Sequence, residues 1–227
     1  MEDKNLMKEV GQKFGSDKIS IHQYHKIYDF YLKDFYEKDG GMIEIGLLVN
    51  RSLKMWLELF QNMHIYGIDK NPVAIGGESH TLIKCDQSSS DDLKQVLNKI
   101  KHPIHFINDD GSHIPEHQAL TFNVLFPLLE PGGIYIIEDI EVSYWEARSI
   151  YGYKADYGIN HPKSIVSMFK KVADGINISL PRHDYRSDPS RGSLYRPFEK
   201  IDQDILHLEN IHNIIFARNC IIVRKEK

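Results

Sequence analysis

The chain has 227 residues, of which 41% are hydrophobic and 26% charged, and its formal charge at pH 7 is −4. This length suffices for one domain with a buried core, and the composition is typical of folded globular proteins and not of disordered ones. The sequence lacks the basic footprint of a nucleic-acid-binding protein and has no apolar run long enough to span a membrane. We therefore expect neither nucleic acid nor a membrane span among its interactions.

Two features indicate the compartment. Cys85 and Cys220 lie far apart in apolar surroundings and lack metal-type spacing, so we expect buried free thiols in a reducing environment. The charged residues from Met1 to Asn5 lack the apolar centre of a secretory signal. The sequence therefore predicts a cytoplasmic protein.

Residues 1–40 have a helical pattern rich in aromatic side chains. Four aromatic residues at three- and four-residue steps share one helical face, namely Tyr24, Tyr28, Tyr31 and Phe35. We expect this face to pack on the core in preference to binding a ligand. A contact with a second subunit, and hence a homo-oligomer, stays open.

From Met42 onward, short apolar runs alternate with amphipathic stretches. The predicted strands are residues 42–46, 65–68, 82–85, 104–108 and 133–137, and the predicted helices are residues 52–63, 90–101 and 115–129. This alternation predicts an α/β fold with a doubly wound, Rossmann-like, mainly parallel sheet. Residues 205–216 and 219–224 add an antiparallel carboxyl-terminal hairpin. We expect one domain over residues 1–227, in which residues 141–200, with a helix at 163–173, form an insertion or lid.

Acidic residues end the first three predicted strands. Glu44 and Gly46 close the first, Asp69 the second and Asp86 the third. In nucleotide-binding sheets the acid at the second strand end holds the ribose hydroxyls, and the first loop lets the ligand approach the backbone. The pattern predicts half of a nucleotide site, with Asp86 placed to meet an adenine edge.

A second acidic group follows the last two predicted parallel strands. Asp110, Glu138 and Asp139 would lie close enough to repel one another unless a cation sits between them, and Mg²⁺ suits such oxygen ligands. His113 lies three residues beyond Asp110, and an imidazole with a pKa near 6.5 can accept a proton at neutral pH. The sequence therefore predicts a metal-assisted acid–base site.

Two other interpretations of this stretch exist. Asp109 or Asp110 could simply cap the following helix, with Glu138 and Asp139 paired to arginines. Residues 113–117 also match the His-x-x-Glu-His pattern of one zinc protease class, which needs both histidines on one helical face. Pro115 favours the first helical turn, so we expect His113 to precede the helix and disfavour the protease.

Several motifs together carry a resemblance to a known family. They are Glu44-Ile45-Gly46, Gly67-Ile68-Asp69, Asp86-Gln87-Ser88, Asp109-Asp110-Gly111-Ser112-His113, Phe126-Pro127, Pro131-Gly132-Gly133 and Glu138-Asp139 with Tyr144-Trp145. The chain resembles class I S-adenosylmethionine-dependent methyltransferases from about Gly15 to Lys225. More narrowly, it resembles the metal-dependent sugar O-methyltransferases of macrolide and related glycoside pathways. The resemblance implies S-adenosyl-L-methionine and Mg²⁺, or another divalent cation, as cofactors.

The resemblance also implies roles for single residues. Those implied for the methyl donor are Glu44, Gly46, Ser52, Asp69, Asp86, Gln87 and Asp109. Those implied for the metal are Asp110, Glu138 and Asp139. His113, with Asp110 beside it, is implied as the general base that deprotonates a metal-bound sugar hydroxyl while its oxygen attacks the methyl group. The family's first loop is usually rich in glycine, whereas residues 47–51 contain none.

The leading hypothesis is an O-methyltransferase acting on a sugar hydroxyl of a glycan, nucleotide sugar or glycosylated metabolite. Aromatic faces available to a sugar are Tyr144, Trp145, Tyr151, Tyr153 and Tyr157. Arginines that either meet a phosphate or form solvated surface are Arg182, Arg186, Arg191 and Arg196. The alternatives are a phosphate-type or phenolic acceptor, or a non-catalytic nucleotide-binding protein with a degenerate donor loop.

Overall fold

The structure is a computed structural model that describes residues 5–178, 205 and 207–227. Its α-helices, α1 to α7, are Leu6–Phe14, Asp17–Ser20, His25–Leu32, Arg51–Leu59, Ser90–Leu97, Pro115–Leu125 and Ile165–Ile178. Its strands, β1 to β9, are Gly40–Ile45, Met63–Asp69, His80–Lys84, Ile104–Asp109, Leu129–Glu138, Arg148–Ile150, Tyr153–Ala155, Ile211–Ala217 and Cys220–Lys225. None of the helices within these ranges has the length and apolarity that a bilayer crossing requires.

Seven strands form one sheet in the order β3-β2-β1-β4-β5-β9-β8. Strands β1 to β5 are parallel, whereas β9 runs antiparallel to β5 and β8 antiparallel to β9. The predicted doubly wound sheet with a carboxyl-terminal hairpin is thereby confirmed. The strand order reverses between β1 and β4, and a parallel sheet binds ligands at such a switch point, beyond its carboxyl ends.

Helices cover the sheet on both faces, each over its own apolar core. One core contains Phe122, Tyr135 and Phe169 beneath α6 and α7. The other contains Tyr28, Trp56 and Phe106 beneath the amino-terminal helices and α4. The expectation that the amino-terminal aromatic face packs on the core is confirmed, since Tyr24, Tyr28 and Phe35 are all buried there.

Side-chain alternation decides which polar residues meet the amino-terminal helices. Met42 on β1 and Ile136 on β5 belong to the core beneath those helices. Residues two positions further along a strand point to the same face, so Glu44 and Glu138 also point toward that layer. Both are almost fully buried.

The region after β5 departs from the sequence-based expectations. The structure adds an antiparallel hairpin, β6–β7, that periodicity did not indicate because each strand has only three residues. The predicted helix at residues 163–173 runs from Ile165 to Ile178 instead. The turn between β8 and β9 falls at Arg218 and Asn219, one residue later than predicted, and Asn219 takes the positive φ of 59° there. Arg182, Arg186, Arg191 and Arg196 lie outside the described residues.

Candidate active site

A cavity of about 510 Å³ opens beyond the carboxyl ends of β1, β2, β3 and β4. Predicted site residues that line it are Gly46, Ser52, Asp69, Asp86, Gln87, Asp110, His113 and Asp139. The remaining three predicted residues, Glu44, Asp109 and Glu138, are almost fully buried and bind neighbouring side chains. The cavity therefore joins the donor half and the acidic half of the predicted site in one space.

Gly46 allows the donor half and the acidic half of the site to lie in direct contact. Its φ is +85°, and a Cβ added there would lie 1.9 Å from the carbonyl oxygen of Asp110. Only glycine tolerates both the positive φ and the backbone contact. The backbone therefore turns sharply as β1 ends, directly beside the loop that follows β4.

The loop after Gly46 is closed by Asp69. The backbone N–H of Leu47 donates to Asp69 Oδ2 at 2.9 Å, and the N–H of Asn71 donates to Oδ1 at 2.7 Å. A carboxylate offers about four lone-pair positions, so this bracing orients Asp69 while leaving acceptor capacity toward the cavity. The loop without glycines therefore keeps an ordered connection between β1 and α4.

Glu44 lies behind this loop. Its Oε1 accepts a hydrogen bond from Trp56 Nε1 at 2.8 Å, whereas its Oε2 is buried without a hydrogen-bond partner within the described residues. Burial raises the pKa of Glu44 to about 7, although nearby Lys18 and the side chains of Ser52 and Trp56 act in the opposite direction. Glu44 is thus a buried brace for α4, and Ser52 of the same helix lines the cavity.

The third strand end carries an exposed ion pair. Lys70 Nζ lies 2.6 Å from Asp86 Oδ2, and its hydrogen bond is the main reason that the pKa of Asp86 falls to about 2. Asp86 therefore stays ionised at the mouth of the cavity. Lys70, which sequence patterns did not single out, is a neighbour of the predicted adenine contact.

Gln87 connects the donor half of the site to the loop after β4 through contacts that face the protein interior. Its Nε2 donates to Asp109 Oδ1 at 2.7 Å, and its Oε1 accepts the backbone N–H of Ser112 at 2.8 Å. Tyr135 donates its hydroxyl to the other Asp109 oxygen at 3.1 Å. Burial raises the pKa of Asp109 to about 7. Asp109 therefore supports the loop after β4 from inside the protein.

Three side chains of the acidic half converge. Asp110, His113 and Asp139 each present a ligand atom, and these atoms lie within 4.8 Å of one another. His113 Nε2 lies 3.7 Å from Asp139 Oδ2. His113 and Asp139 have positive φ values of 60° and 52°, which non-glycine residues seldom adopt and which concentrate at functional sites.

The backbone around His113 decides against the zinc protease pattern. Helix α6 begins at Pro115, with Ile114 as its extended N-cap residue, so His113 precedes the helix as expected. His117 Nδ1 instead pairs with the hydroxyl of Ser112 at 2.9 Å. The two histidines therefore do not share a helical face.

Glu138 is bound by residues from the amino-terminal helices. Its Oε2 accepts a hydrogen bond from Lys18 Nζ at 2.6 Å, and its Oε1 accepts one from the Tyr28 hydroxyl at 2.8 Å. The Lys18 ammonium also donates to Asp110 Oδ2 at 2.6 Å. Burial lowers the pKa of Lys18, but Asp110, Glu138 and Glu44 more than offset this and hold it well above its usual value.

Asp139 is held by three further side chains. Tyr24 donates its hydroxyl to Asp139 Oδ1 at 2.8 Å, and Asn219 Nδ2 donates to the same oxygen at 2.9 Å. His22 Nδ1 lies 3.4 Å from it. Sequence reasoning missed these contacts and those of Lys18, because partners 80 or more residues apart leave no local pattern. The only available signal was the density of polar and aromatic residues between Lys18 and Tyr28.

The hairpin β6–β7 forms a further wall of the cavity. Its turn places Tyr151 with its ring centroid 5.8 Å from that of His113, and Tyr153 lies 4.8 Å from the ring of His117. Both tyrosines line the cavity. The other aromatic residues that were expected to face a sugar do not line it, namely Tyr144, Trp145 and Tyr157. Tyr157 instead donates its hydroxyl to Glu116 at 2.6 Å.

The chemistry of this donor set fits a divalent cation. Carboxylate oxygens suit Mg²⁺ and Mn²⁺, and an imidazole nitrogen extends the set toward transition metals. Nδ1 of His113 is buried and makes no hydrogen bond within the described residues. No other group of three such side chains in the described ranges has comparable geometry.

Comparisons with known proteins agree with this geometry. No protein-family model matches the chain. It is 31% identical over 212 residues to 8-demethyl-8-alpha-L-rhamnosyl tetracenomycin-C 2'-O-methyltransferase of Streptomyces olivaceus, covering 89% of this chain and 52% of that protein. It is 29% identical over 225 residues to mycinamicin VI 2''-O-methyltransferase of Micromonospora griseorubida, covering 93% and 52%. The chain thus spans about half the length of these curated relatives.

A solved structure shows the same relationship. The methyltransferase MycE of the mycinamycin biosynthetic pathway, in complex with Mg and SAH, superposes with a TM-score of 0.77 at 26% identity. The match covers 97% of this chain and 54% of that one. These similarities extend over nearly all of the sheet and helices described above.

Proposed function

We propose that this chain, a relative of sugar O-methyltransferases with the fold of class I methyltransferases, transfers a methyl group from S-adenosylmethionine to a sugar hydroxyl. The observation that carries the proposal is the single cavity that joins the ends of β1 to β3 to the cluster of Asp110, His113 and Asp139. The two matched relatives are themselves named as O-methyltransferases. The acceptor that we propose is a sugar of a glycan, nucleotide sugar or glycosylated metabolite.

The donor half supplies binding and orientation. Asp69 is braced by two backbone N–H groups and is positioned to accept the ribose hydroxyls. Asp86 and Gln87 lie at the next strand end, where the base is expected, and Gly46 keeps the backbone open to the ligand. The exposed side chains of Leu48 and Val49 border the same cavity.

The acidic half supplies the proton transfer. Asp110 and Asp139 would hold the divalent cation, with Glu138 behind them, and a bound cation lowers the pKa of a coordinated hydroxyl. The hydroxyl proton passes to His113 Nε2, which has Asp139 Oδ2 at 3.7 Å to stabilise the imidazolium that forms. The acceptor oxygen gains the methyl group as the carbon–sulfur bond of the donor breaks. Alignment of oxygen, carbon and sulfur within one cavity supplies further acceleration.

The acceptor wall favours a sugar. Tyr151 and Tyr153 present aromatic rings to the cavity beside the proton acceptor, and an aromatic ring offers a flat apolar face with a polar tip.

We place the reaction in the cytoplasm, because Cys85 and Cys220 are both free and buried, as proteins of reducing compartments keep their thiols.

The test is a calorimetric titration of the protein with S-adenosylmethionine, in Mg²⁺ and then in chelator, followed by a radiolabelled methyl-transfer assay on nucleotide sugars, glycosides, phosphorylated compounds and phenols. We expect saturable one-to-one donor binding in both conditions and methyl transfer only with the cation. Donor binding without transfer to any sugar, phosphate or phenol would favour the non-catalytic alternative. Absence of donor binding would contradict the proposal altogether.

A further inference from the structure

Lys18 is a buried cation placed among carboxylates. Its side chain is 1% exposed, and its Nζ lies 2.6 Å from both Asp110 Oδ2 and Glu138 Oε2 and 4.0 Å from Glu44 Oε1. Burying an ammonium group is costly unless it is paired and hydrogen-bonded. The position of Lys18 therefore depends on the acidic residues, and their position depends on Lys18.

Helix α2 fixes Lys18 from several directions. Gly15 ends α1 in the left-handed conformation, which turns the chain directly into α2. Gly11 of α1 leaves room for Ile19, because a Cβ there would approach the Ile19 side chain to 2.1 Å. The carbonyl of Lys18 accepts the N–H of Tyr24 at 2.8 Å. The backbone of Lys18 is therefore held independently of its ammonium group.

Within the described residues, Lys18 is the one lysine or arginine that pairs with the carboxylates assigned to the metal, and it contacts two of the three, Asp110 and Glu138. Counted as ionised, the carboxylates of Asp110, Glu138 and Asp139 contribute three negative charges, and the Lys18 ammonium offsets one of them. The carboxylate of Glu44, 4.0 Å from Lys18 Nζ, is not part of this count. The two negative charges that remain are those that one divalent cation neutralises. The other groups that contact these carboxylates are the hydroxyls of Tyr24 and Tyr28, the amide of Asn219 and the imidazoles of His22 and His113.

We propose that Lys18 is a positioning residue that sets the charge of the acidic site and fixes Asp110 and Glu138 where β4 and β5 end. A residue serving only fold stability would not need contact with Asp110, which lines the cavity. The inference extends the proposed function, since it assumes that a divalent cation binds beside these carboxylates. It adds a residue from the amino-terminal segment that determines how tightly that cation is held.

Removing the Lys18 charge should raise the affinity of the acidic residues for a divalent cation. Deleting the Lys18 charge leaves these carboxylates with no lysine or arginine partner within the described part of the chain and strengthens their attraction for a divalent ion at a separation of a few ångströms. The same deletion releases Asp110 and Glu138 from their fixed positions, which slows turnover. Tighter metal binding together with slower catalysis distinguishes a charge-setting residue from one that only supports the fold.

The experiment measures Mn²⁺ affinity by electron paramagnetic resonance, SAH affinity by calorimetry, and kcat for Lys18→Met and Lys18→Arg. For Lys18→Met we expect Mn²⁺ affinity to rise at least ten-fold, kcat to fall at least ten-fold, and SAH affinity to stay within about three-fold. Lys18→Arg retains the charge and should keep Mn²⁺ affinity near the wild-type value. Lys13→Met is the matched control, since Lys13 forms an exposed pair with Glu58.

A second comparison covers the case in which Lys18→Met does not fold. Adding Lys18→Met to Glu138→Gln removes the cation from a site with one carboxylate fewer, and we again expect Mn²⁺ affinity at least ten-fold above that of Glu138→Gln alone. Unchanged or weaker Mn²⁺ binding in a folded variant overturns the inference, as does absence of Mn²⁺ binding in every variant. If the wild type binds SAH and Mn²⁺ and the Lys18 variants bind Mn²⁺ equally well, the proposed function stands and the inference about Lys18 fails. If the wild type binds neither SAH nor Mn²⁺, the proposed function itself fails.

Discussion

Tyr28, near the amino terminus, donates its hydroxyl to Glu138 at 2.8 Å across 110 residues of sequence. Both side chains are almost fully buried. The aromatic face of the amino-terminal helices therefore has two roles, since its rings pack on the core while its hydroxyls bind the acidic pair that ends β5. The amino-terminal segment is part of the site.

Replacing Tyr28 with phenylalanine tests this contact. We expect Tyr28→Phe to lower the free energy of unfolding by about 1–3 kcal/mol, because a buried carboxylate oxygen loses its donor. Denaturant unfolding followed by circular dichroism measures the change. Tyr31→Phe is the control, since the Tyr31 hydroxyl makes no hydrogen bond within the described residues and should cost no more than about 0.5 kcal/mol. Equal effects of the two variants would show that the hydroxyl of Tyr28 contributes nothing.

Gly46 should tolerate no side chain. We expect Gly46→Ala to weaken S-adenosylmethionine binding at least ten-fold, because the added Cβ would meet the Asp110 carbonyl at 1.9 Å and force the two loops apart. Calorimetry measures the affinity. Gly15→Ala is the control, since Gly15 also has a positive φ but open space around its Cβ position, so only the conformational strain of about 1 kcal/mol applies. Unchanged donor affinity in folded Gly46→Ala would place the donor elsewhere.

His113 should be needed for turnover and not for donor binding. We expect His113→Asn to lower kcat at least a hundred-fold while SAH affinity stays within about three-fold. Asparagine is the suitable replacement because it accepts the left-handed backbone that His113 adopts. Steady-state kinetics and calorimetry separate the two effects, and exposed His212 of the carboxyl-terminal hairpin provides the control as His212→Asn. Retained turnover would show that another group takes the proton.

Asp109 should make stability depend on pH. Its pKa in the folded protein is about 7 against an ordinary 3.8, so between these values the folded state holds a proton that the unfolded chain releases. The free energy of unfolding should therefore fall as the pH rises from about 4 to about 7, by at most about 4 kcal/mol from this residue. Burial gives Glu44 a pKa of about 7 and the same sign.

Asp109→Asn isolates this contribution. The amide cannot ionise, so we expect the variant to lose part of the slope between pH 4 and pH 7 and to match or exceed the wild type in stability at pH 8. Urea unfolding at a series of pH values measures the slope. Asp91→Asn, at an exposed position, should leave it unchanged. A slope identical to that of the wild type in Asp109→Asn would mean that Asp109 titrates normally in the folded protein.

The parallel sheet followed from local signals. Apolar runs bounded by Gly46, Asp69, Asp86 and Asp109 mark strands that end at one edge, and amphipathic stretches between them mark the covering helices. Pro115 marked the start of α6 because its ring is accepted in a first helical turn. The resemblance placed the donor and metal residues on these strand ends, and the cavity contains most of them.

Strand ends do not show which carboxylates face the cavity. Asp109 and Asp110 are adjacent, yet one is buried against Gln87 and Tyr135 while the other lines the cavity. Side chains alternate along a strand, so their direction depends on register and on the bulged pairing of β4 with its neighbours. Glu138 and Asp139 differ in the same way.

The sequence by itself determined the alternation of strands and helices, the acids at the strand ends and the position of His113 before a helix, because these depend on residues close together in the chain. Only the tertiary structure decided that Lys18, Tyr24 and Tyr28 reach the acidic pair and that β6–β7 closes the cavity. Lys18, for example, contacts Asp110 and Glu138, which lie 92 and 120 residues further along the chain. Such contacts form only when the helices fold over the sheet, and no local periodicity encodes the partner.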